Sequence, residues 1–231
     1  MSDLISVEAA KKLARDDIAR LIDYTSLGPD VTGVQIEILC EEALKYNFFS
    51  VCINPHFLPL AKTFLAKSKI KICTVIGFPL GANLSRVKAY EAREAVKEGA
   101  DEIDMVINIS ALKDKDYKKV EQDILGVVKS AKGLICKVIL ETALLNNQEK
   151  EIGCQIAVEA GAHFVKTSTG FQKSGATVGD VQLMRRIVGN RIGVKAAGGI
   201  SNYETALKLV EAGATRIGAS KGVEIVKGSH F

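Results

Sequence analysis

The sequence predicts an α/β protein built as one (β/α)8 barrel, a TIM barrel, with an extra helix ahead of the first strand. Three observations carry that expectation. The 231 residues suit a barrel that forms one domain over 1–231. Short β-branched runs alternate eight times with segments of helical period. One helix-ending phrase recurs where such units would repeat.

The elements read in order as follows. An amphipathic stretch near 6–20 is the extra helix. Strands are expected at 21–25, 48–54, 71–78, 102–108, 135–142, 164–169, 193–199 and 216–220. Helices are expected near 34–46, 56–67, 85–98, 117–131, 147–160, 178–189 and 202–212, with a short one after 221. Eight alternations in this length favour a closed barrel over an open doubly wound sheet. Lys97-Glu98-Gly99-Ala100, Glu159-Ala160-Gly161-Ala162 and Glu211-Ala212-Gly213-Ala214 each lead directly into a strand. Glycine there fits a left-handed helix end, since it takes positive φ without a Cβ clash. No linker marks a second domain.

Composition narrows the function. With 47% apolar and 25% charged residues the chain can bury a core, which argues against disorder. The net charge of +4 is spread over alternating signs, as in Lys113-Asp114-Lys115-Asp116, with no basic block for nucleic acid. A mild positive balance suits a small anionic substrate. Met1 to Arg20 lacks the apolar stretch of a signal peptide, and no later run has the length of a membrane span, so a soluble cytoplasmic protein is expected. Cys40, Cys52, Cys73, Cys136 and Cys154 are dispersed in apolar surroundings without a C-x-x-C pair, and read as reduced core cysteines. His56, His163 and His230 lack metal-ligand spacing and read as structural.

The chemistry is signalled by charges inside strands. A parallel barrel strand is covered on both faces, so charge within it is costly without a purpose. Side chains alternate along a strand. Ile103, Met105 and Ile107 therefore share the helix-packing face, and Asp104 and Asn108 point into the barrel. By the same parity Lys137, Glu141, Lys166 and Lys195 point inward. One reading is an ion-pair network that only fixes register. Three lysines against two acids favour another: excess buried ammonium charge is relieved if one lysine gives up its proton, and a neutral lysine is a nucleophile.

Small residues cluster beyond the later strands: Thr167-Ser168-Thr169-Gly170, Gly198-Gly199 and Gly218-Ala219-Ser220-Lys221-Gly222. Glycines let backbone N–H groups approach an anion, and the short helix near 221–226 would aim its N-terminus at the same place. Phosphate sites after strands seven and eight recur in this fold. The alternative is tight loop geometry with no ligand.

These segments resemble the deoxyribose-phosphate aldolase family along nearly the whole chain. The resemblance lies in Ile22-Asp23-Tyr24-Thr25, Val51-Cys52-Ile53-Asn54-Pro55, Asp101 to Asn108, Lys137-Val138-Ile139-Leu140-Glu141-Thr142, Lys166-Thr167-Ser168-Thr169-Gly170-Phe171, and Lys195-Ala196-Ala197-Gly198-Gly199-Ile200. It implies a class I, Schiff-base aldolase of deoxyribonucleotide catabolism. Such an enzyme cleaves 2-deoxy-D-ribose 5-phosphate reversibly to D-glyceraldehyde 3-phosphate and acetaldehyde, without metal or organic cofactor. By the resemblance Lys166 is the nucleophile, Lys195 the neighbouring ammonium that activates it, and Asp104 the proton donor and acceptor. Lys137 tunes the charge balance, and Asp23 supports the site or hydrogen-bonds near the sugar. Gly170, Gly198, Gly199 and Ser220 hold the phosphate. A homodimer is expected, since dimers are common among such barrels.

The match has departures. Tyr24, Ser26 and Gly28 stand where the family often has His, Leu and Lys. Lys221 replaces a second Ser, and either contacts phosphate or points to solvent. The end at Phe231 lacks the terminal Tyr of some relatives. Two rival readings remain at this stage: another lysine-dependent aldolase or transaldolase barrel, and a non-catalytic sugar-phosphate sensor that keeps the glycine loops but has no use for a neutral lysine.

Overall fold

The computed structural model describes residues 13–228. Eight parallel strands close into a barrel in chain order, with β1 (Ile22–Ser26) pairing both β2 (Ser50–Ile53) and β8 (Arg216–Ala219). Between these lie β3 (Lys71–Ile76), β4 (Glu102–Val106), β5 (Ile135–Ile139), β6 (Phe164–Lys166) and β7 (Gly193–Ala197). Each observed strand falls within or within a residue of its expected span.

The expected N-terminal helix is present as α1 (Arg15–Ala19), and the rest of its proposed span, 6–12, lies outside the described residues. The crossover helices are α2 (Gly33–Tyr46), α3 (Leu58–Leu65) and α4 (Ser85–Glu98) in the first half of the chain. A short α5 (Ile109–Lys113) precedes α6 (Tyr117–Ser130), and α7 (Asn147–Glu159), α8 (Val178–Val188), α9 (Tyr203–Glu211) and α10 (Gly222–Lys227) follow. Helix α5 was not expected. Asn108 creates it: β4 ends at Val106, and the Asn108 side chain accepts from the Ala111 N–H as an N-cap. This corrects the reading of Asn108 as a lumen residue, because the strand parity stops before reaching it.

The repeated helix-ending phrase does what its glycines suggest. Gly99, Gly161 and Gly213 have φ of 102°, 80° and 112°. In each case the following alanine N–H bonds back to the helix, Ala100 to Ala95, Ala162 to Ala157 and Ala214 to Leu209, each at 3.0 Å. That 6→1 bond satisfies an orphan carbonyl and turns the chain into the next strand.

Two apolar clusters define the interior. The large one packs outward-facing strand residues such as Ile103, Met105, Val138 and Val194 against the helices. The small one lies inside the barrel, where Leu27, Cys52, Cys73 and Val75 meet with Phe78 beside them. Apolar side chains and thiols thus take part of the lumen near β1–β3, and the charged groups come from β4–β8 together with Asp23 of β1.

Candidate active site

Register explains why the charges meet. Asp104 lies opposite Lys137, Lys166 opposite Lys195, and Lys195 opposite Arg216, all with the parity that faces the lumen. Asp104 is the hub. Its Oδ1 accepts from Lys137 at 2.6 Å, and its Oδ2 accepts from Lys166 and from Lys195, each at 2.8 Å. The structure therefore brings together the four strand residues expected to converge.

The cluster continues toward the N-terminal end of the barrel through Asp23, already singled out in the sequence, and through Glu102 and Arg216, which sequence reasoning missed. Lys137 is also 2.7 Å from Glu102, and Lys195 also pairs with Asp23. Arg216 donates to Asp23 at 2.8 Å and to Glu102 at 3.0 Å, and lies over the Phe49 ring with its carbon 3.4 Å from the centroid. A signal for both was present. Glu102 has the parity of Asp104, and Arg216 has the parity of Gly218 and Ser220 on a strand already identified.

Asp23 accepts from Ser50 Oγ at 2.7 Å and is fully buried beneath the cluster. It does not line the cleft described below, and its contacts with Lys195 and Arg216 are those of a supporting residue. Cys73 is buried as expected but is more than apolar filling. Its thiol donates to Asp104 at 3.2 Å and accepts from Lys137 at 3.3 Å. Glu141 is buried where β5 has already ended, in a left-handed conformation, and receives the Thr169 hydroxyl and N–H. It braces the β5 and β6 loops and is no part of the lysine cluster.

Electrostatics follows from the geometry. Burial by itself would raise the Asp104 carboxyl, but the ammonium groups of Lys137, Lys166 and Lys195 overcome it and hold Asp104 well below the usual carboxylate range. Asp23 is held low against burial by Arg216, Lys195 and Lys137. Burial disfavours charge on Lys137 and Lys195, yet Asp104 and the surrounding carboxylates outweigh it and hold both protonated far above the ordinary lysine value. Lys166 has one carboxylate partner, Asp104, where Lys137 and Lys195 each have more.

Two groups of possible ligand atoms converge here: Cys52, Cys73 and Asp104, and Asp23, Cys73 and Glu102. Each carboxylate in them is already engaged by lysine or Arg216. The donor set is thus matched to ammonium and guanidinium rather than to a metal ion.

Above the cluster, at the C-terminal end of the strands, opens a cleft of about 510 Å³. Lys166 lines it, and so do Gly170, Gly198, Gly199 and Ser220, the residues expected to bind phosphate. Lys137, Lys195 and Asp104 lie below it. Gly198 (φ 93°) and Gly199 (φ 74°) adopt backbone that L side chains rarely take. A Cβ on Gly198 would also fall 2.9 Å from the Gly175 Cα, so this loop needs glycine for close backbone approach. Helix α10 begins at the cleft without a side-chain N-cap. Lys221 sits at the rim with Nζ 3.1 Å from Glu224, its side chain more than half exposed. Tyr24 faces the helix layer and donates to Glu42 at 2.7 Å, so its departure from the family pattern lies outside the cleft. His163 accepts the Cys136 N–H, a structural role, and His230 lies outside the described residues.

The closed barrel carries a lysine that rises from a buried ion cluster to line a cleft on its C-terminal face, an arrangement that suits a Schiff-base aldolase. Comparison with known proteins specifies the family. The profile of the DeoC/LacD family aldolases matches residues 11–228. The chain is 57% identical over 214 residues to the deoxyribose-phosphate aldolase of Enterococcus faecalis, covering 92% of this chain and 97% of that one. It is 59% identical over 208 residues to that of Coprothermobacter proteolyticus, covering 90% and 95%. The tetrameric deoxyribose phosphate aldolase of Aeropyrum pernix superposes with a TM-score of 0.89 at 33% identity, over 98% of this chain and 97% of that one. This chain belongs to the DeoC/LacD family of aldolases. Among the described residues no helix is long and apolar enough to cross a membrane.

Proposed function

We propose that this aldolase reversibly cleaves 2-deoxy-D-ribose 5-phosphate to D-glyceraldehyde 3-phosphate and acetaldehyde through a Schiff base on Lys166, in deoxyribonucleotide catabolism. The observation that carries this reading is that Lys166, alone of the three strand lysines in the cluster, lines the cleft. A nucleophile must touch substrate, and neither Lys137 nor Lys195 lines the cleft.

The steps follow from position. Neutral Lys166 attacks the C1 aldehyde of the open-chain sugar, and loss of water gives the imine. A base removes the C3 hydroxyl proton, the C2–C3 bond breaks, and its electron pair moves into the imine to form an enamine. Glyceraldehyde 3-phosphate leaves. The enamine is then protonated at carbon, and water releases acetaldehyde and the free lysine. Asp104, hydrogen-bonded to all three lysines, is the group best placed to exchange these protons, directly or through water. Lys195 supplies the adjacent positive charge that favours a neutral Lys166, and Lys137 and Asp23 fix the charge balance beneath. Gly170, Gly198, Gly199 and Ser220 hold the phosphate and so orient the reacting end. Their place on the rim of the same cleft supports this assignment.

Apolar side chains left exposed on α2, Val34 and Ile38, support the expectation of a homodimer. Five free, buried cysteines support a cytoplasmic setting.

The deciding experiment is borohydride reduction in the presence of acetaldehyde, followed by peptide mass analysis. An adduct on Lys166 is expected. Modification of Lys137 or Lys195 would reassign the nucleophile, and absence of any adduct would reject the Schiff-base mechanism.

A further inference from the structure

The cluster that surrounds Lys166 is unbalanced by one charge. Among the described residues, the carboxylates that Lys137, Lys166, Lys195 and Arg216 face are three, Asp23, Glu102 and Asp104. Without Arg216 the three lysines would match the three carboxylates, and nothing would favour losing a proton. Arg216 is the one cation of the four that cannot lose its own. It sits at the end of the barrel away from the cleft, where Glu102 and Asp23 hold it and the faces of Phe49 and Phe164 sandwich it.

We propose that Arg216 is a positioning residue for the reaction: its fixed charge at the closed end of the barrel occupies Asp23 and Glu102, and thereby makes Lys166 the lysine that works as a neutral amine. The influence runs through a continuous path. Arg216 engages Asp23, Asp23 pairs with Lys195, Lys195 donates to Asp104, and Asp104 is, among the described residues, the one carboxylate paired with Lys166. The inference rests on Lys166 being the Schiff-base lysine. The ionisable groups that face it are Asp23 on β1, Cys52 on β2, Cys73 on β3, Glu102 and Asp104 on β4, Lys137 on β5, Lys195 on β7 and Arg216 on β8. Glu141, beyond β5, is engaged by Thr169.

The test is the pH dependence of kcat/KM for deoxyribose 5-phosphate in four variants of the full chain, with reductive trapping on Lys166 confirmed first. Trapping elsewhere would remove the underlying reading; the pH pattern tests this inference alone. Arg216→Met removes the excess charge and should move the acid limb up by about one pH unit, for charges about 10 Å apart at an effective dielectric of about 20. Glu102→Gln adds to the excess and should move the limb down by a similar amount. The double variant restores an excess of one and should return the limb close to the wild-type position. Arg216→Lys keeps the charge and should leave it in place. A purely structural Arg216 would lower activity in both single variants without opposite shifts, and that result overturns the proposal. If Arg216→Met does not fold, Glu102→Gln and Arg216→Lys decide it: an unmoved limb in Glu102→Gln, or a limb raised in Arg216→Lys, overturns it equally.

Discussion

Lys166 and Lys195 donate to one oxygen, Oδ2 of Asp104, each at 2.8 Å. Two ammonium groups on a single oxygen repel one another, and only Lys195 has a second carboxylate, Asp23, to hold it. Lys166 thus has fewer carboxylate contacts than Lys195, and it is the one of the two that lines the cleft. Lys166→Ala should reduce retro-aldol activity to background and eliminate reductive trapping, while circular dichroism and thermal unfolding show an intact barrel. Asp104 keeps two ammonium partners in that variant, so no carboxylate is stranded. Turnover above background would move the nucleophile elsewhere.

Asp104→Asn is expected to fail differently. It leaves three lysines in a fully buried space with one carboxylate fewer. Breaking a buried ion pair from one side costs about 3–5 kcal/mol, so urea unfolding should shift by that order. Loss of the proton-exchanging group should lower kcat by about 10²–10⁴-fold in the fraction that remains folded. A variant of native stability and rate would show Asp104 to be dispensable.

The same contacts set how stability varies with pH. Asp23 and Asp104 are held below their usual range in the folded state, and unfolded aspartate titrates near about 3.9. Their contribution is therefore fully present above that value and is lost as pH falls through it toward the folded values. Lys137 and Lys195 are held high, so theirs is present below about 10.4 and lost as pH rises through the folded values. Urea denaturation should show the contribution of these four groups declining at both ends, as pH falls below about 3.9 and as it rises above about 10.4. A decline beginning near neutrality would mean that the carboxylates are not held as described.

The loop after β7 gives a prediction about substrate rather than stability. Gly198→Ala would place a Cβ 2.9 Å from the Gly175 Cα at a φ of 93°, so the turn must open. KM for the phosphorylated sugar should rise by about tenfold or more, which corresponds to loss of about 1.4 kcal/mol of binding. Cleavage of unphosphorylated deoxyribose should change far less. Equal losses on both substrates would indicate that the loop shapes the lysine end of the cleft.

Most of the barrel was legible because its signals are local. A run of apolar β-branched residues announces a strand, and a glycine after Ala160 or Ala212 announces the end of a helix. Strand parity likewise sent Asp104, Lys137, Lys166 and Lys195 to the lumen correctly. Parity gave a wrong result where a strand ended early, at Asn108, because no period marks the residue at which a side chain starts capping a helix instead. Glu102 and Arg216 were passed over because each sits at the first position of its strand, where charge reads as a solvated end. Only the closure of β8 onto β1 shows that the N-terminal end of this barrel is sealed and that Arg216 is buried within it. Cys73 was read as core because a thiol beside Asp104 requires knowing that β3 and β4 are neighbours in register.

Lys88 and Asp123 form a second buried ion pair that no strand pattern announces, since both sit on helices. The Nζ of Lys88 on α4 lies 2.5 Å from Asp123 Oδ2 on α6 and donates to the Val106 carbonyl at 2.9 Å, with both side chains fully buried. Burial disfavours the charge on Lys88 and lowers its pKa, against the opposing attraction of Asp123. Asp123→Ala would leave that ammonium without its carboxylate, and unfolding free energy should fall by about 3–5 kcal/mol. The paired replacement Lys88→Met with Asp123→Leu removes both charges and should recover much of the loss, because an isolated buried charge costs more than an apolar pair. Neither residue lines the cleft. At temperatures where the variants stay folded, kcat and KM should remain near wild type. A fall in kcat without a fall in stability would instead mean that the Val106 carbonyl, two residues beyond Asp104 on β4, transmits this pair's geometry to the lysine cluster.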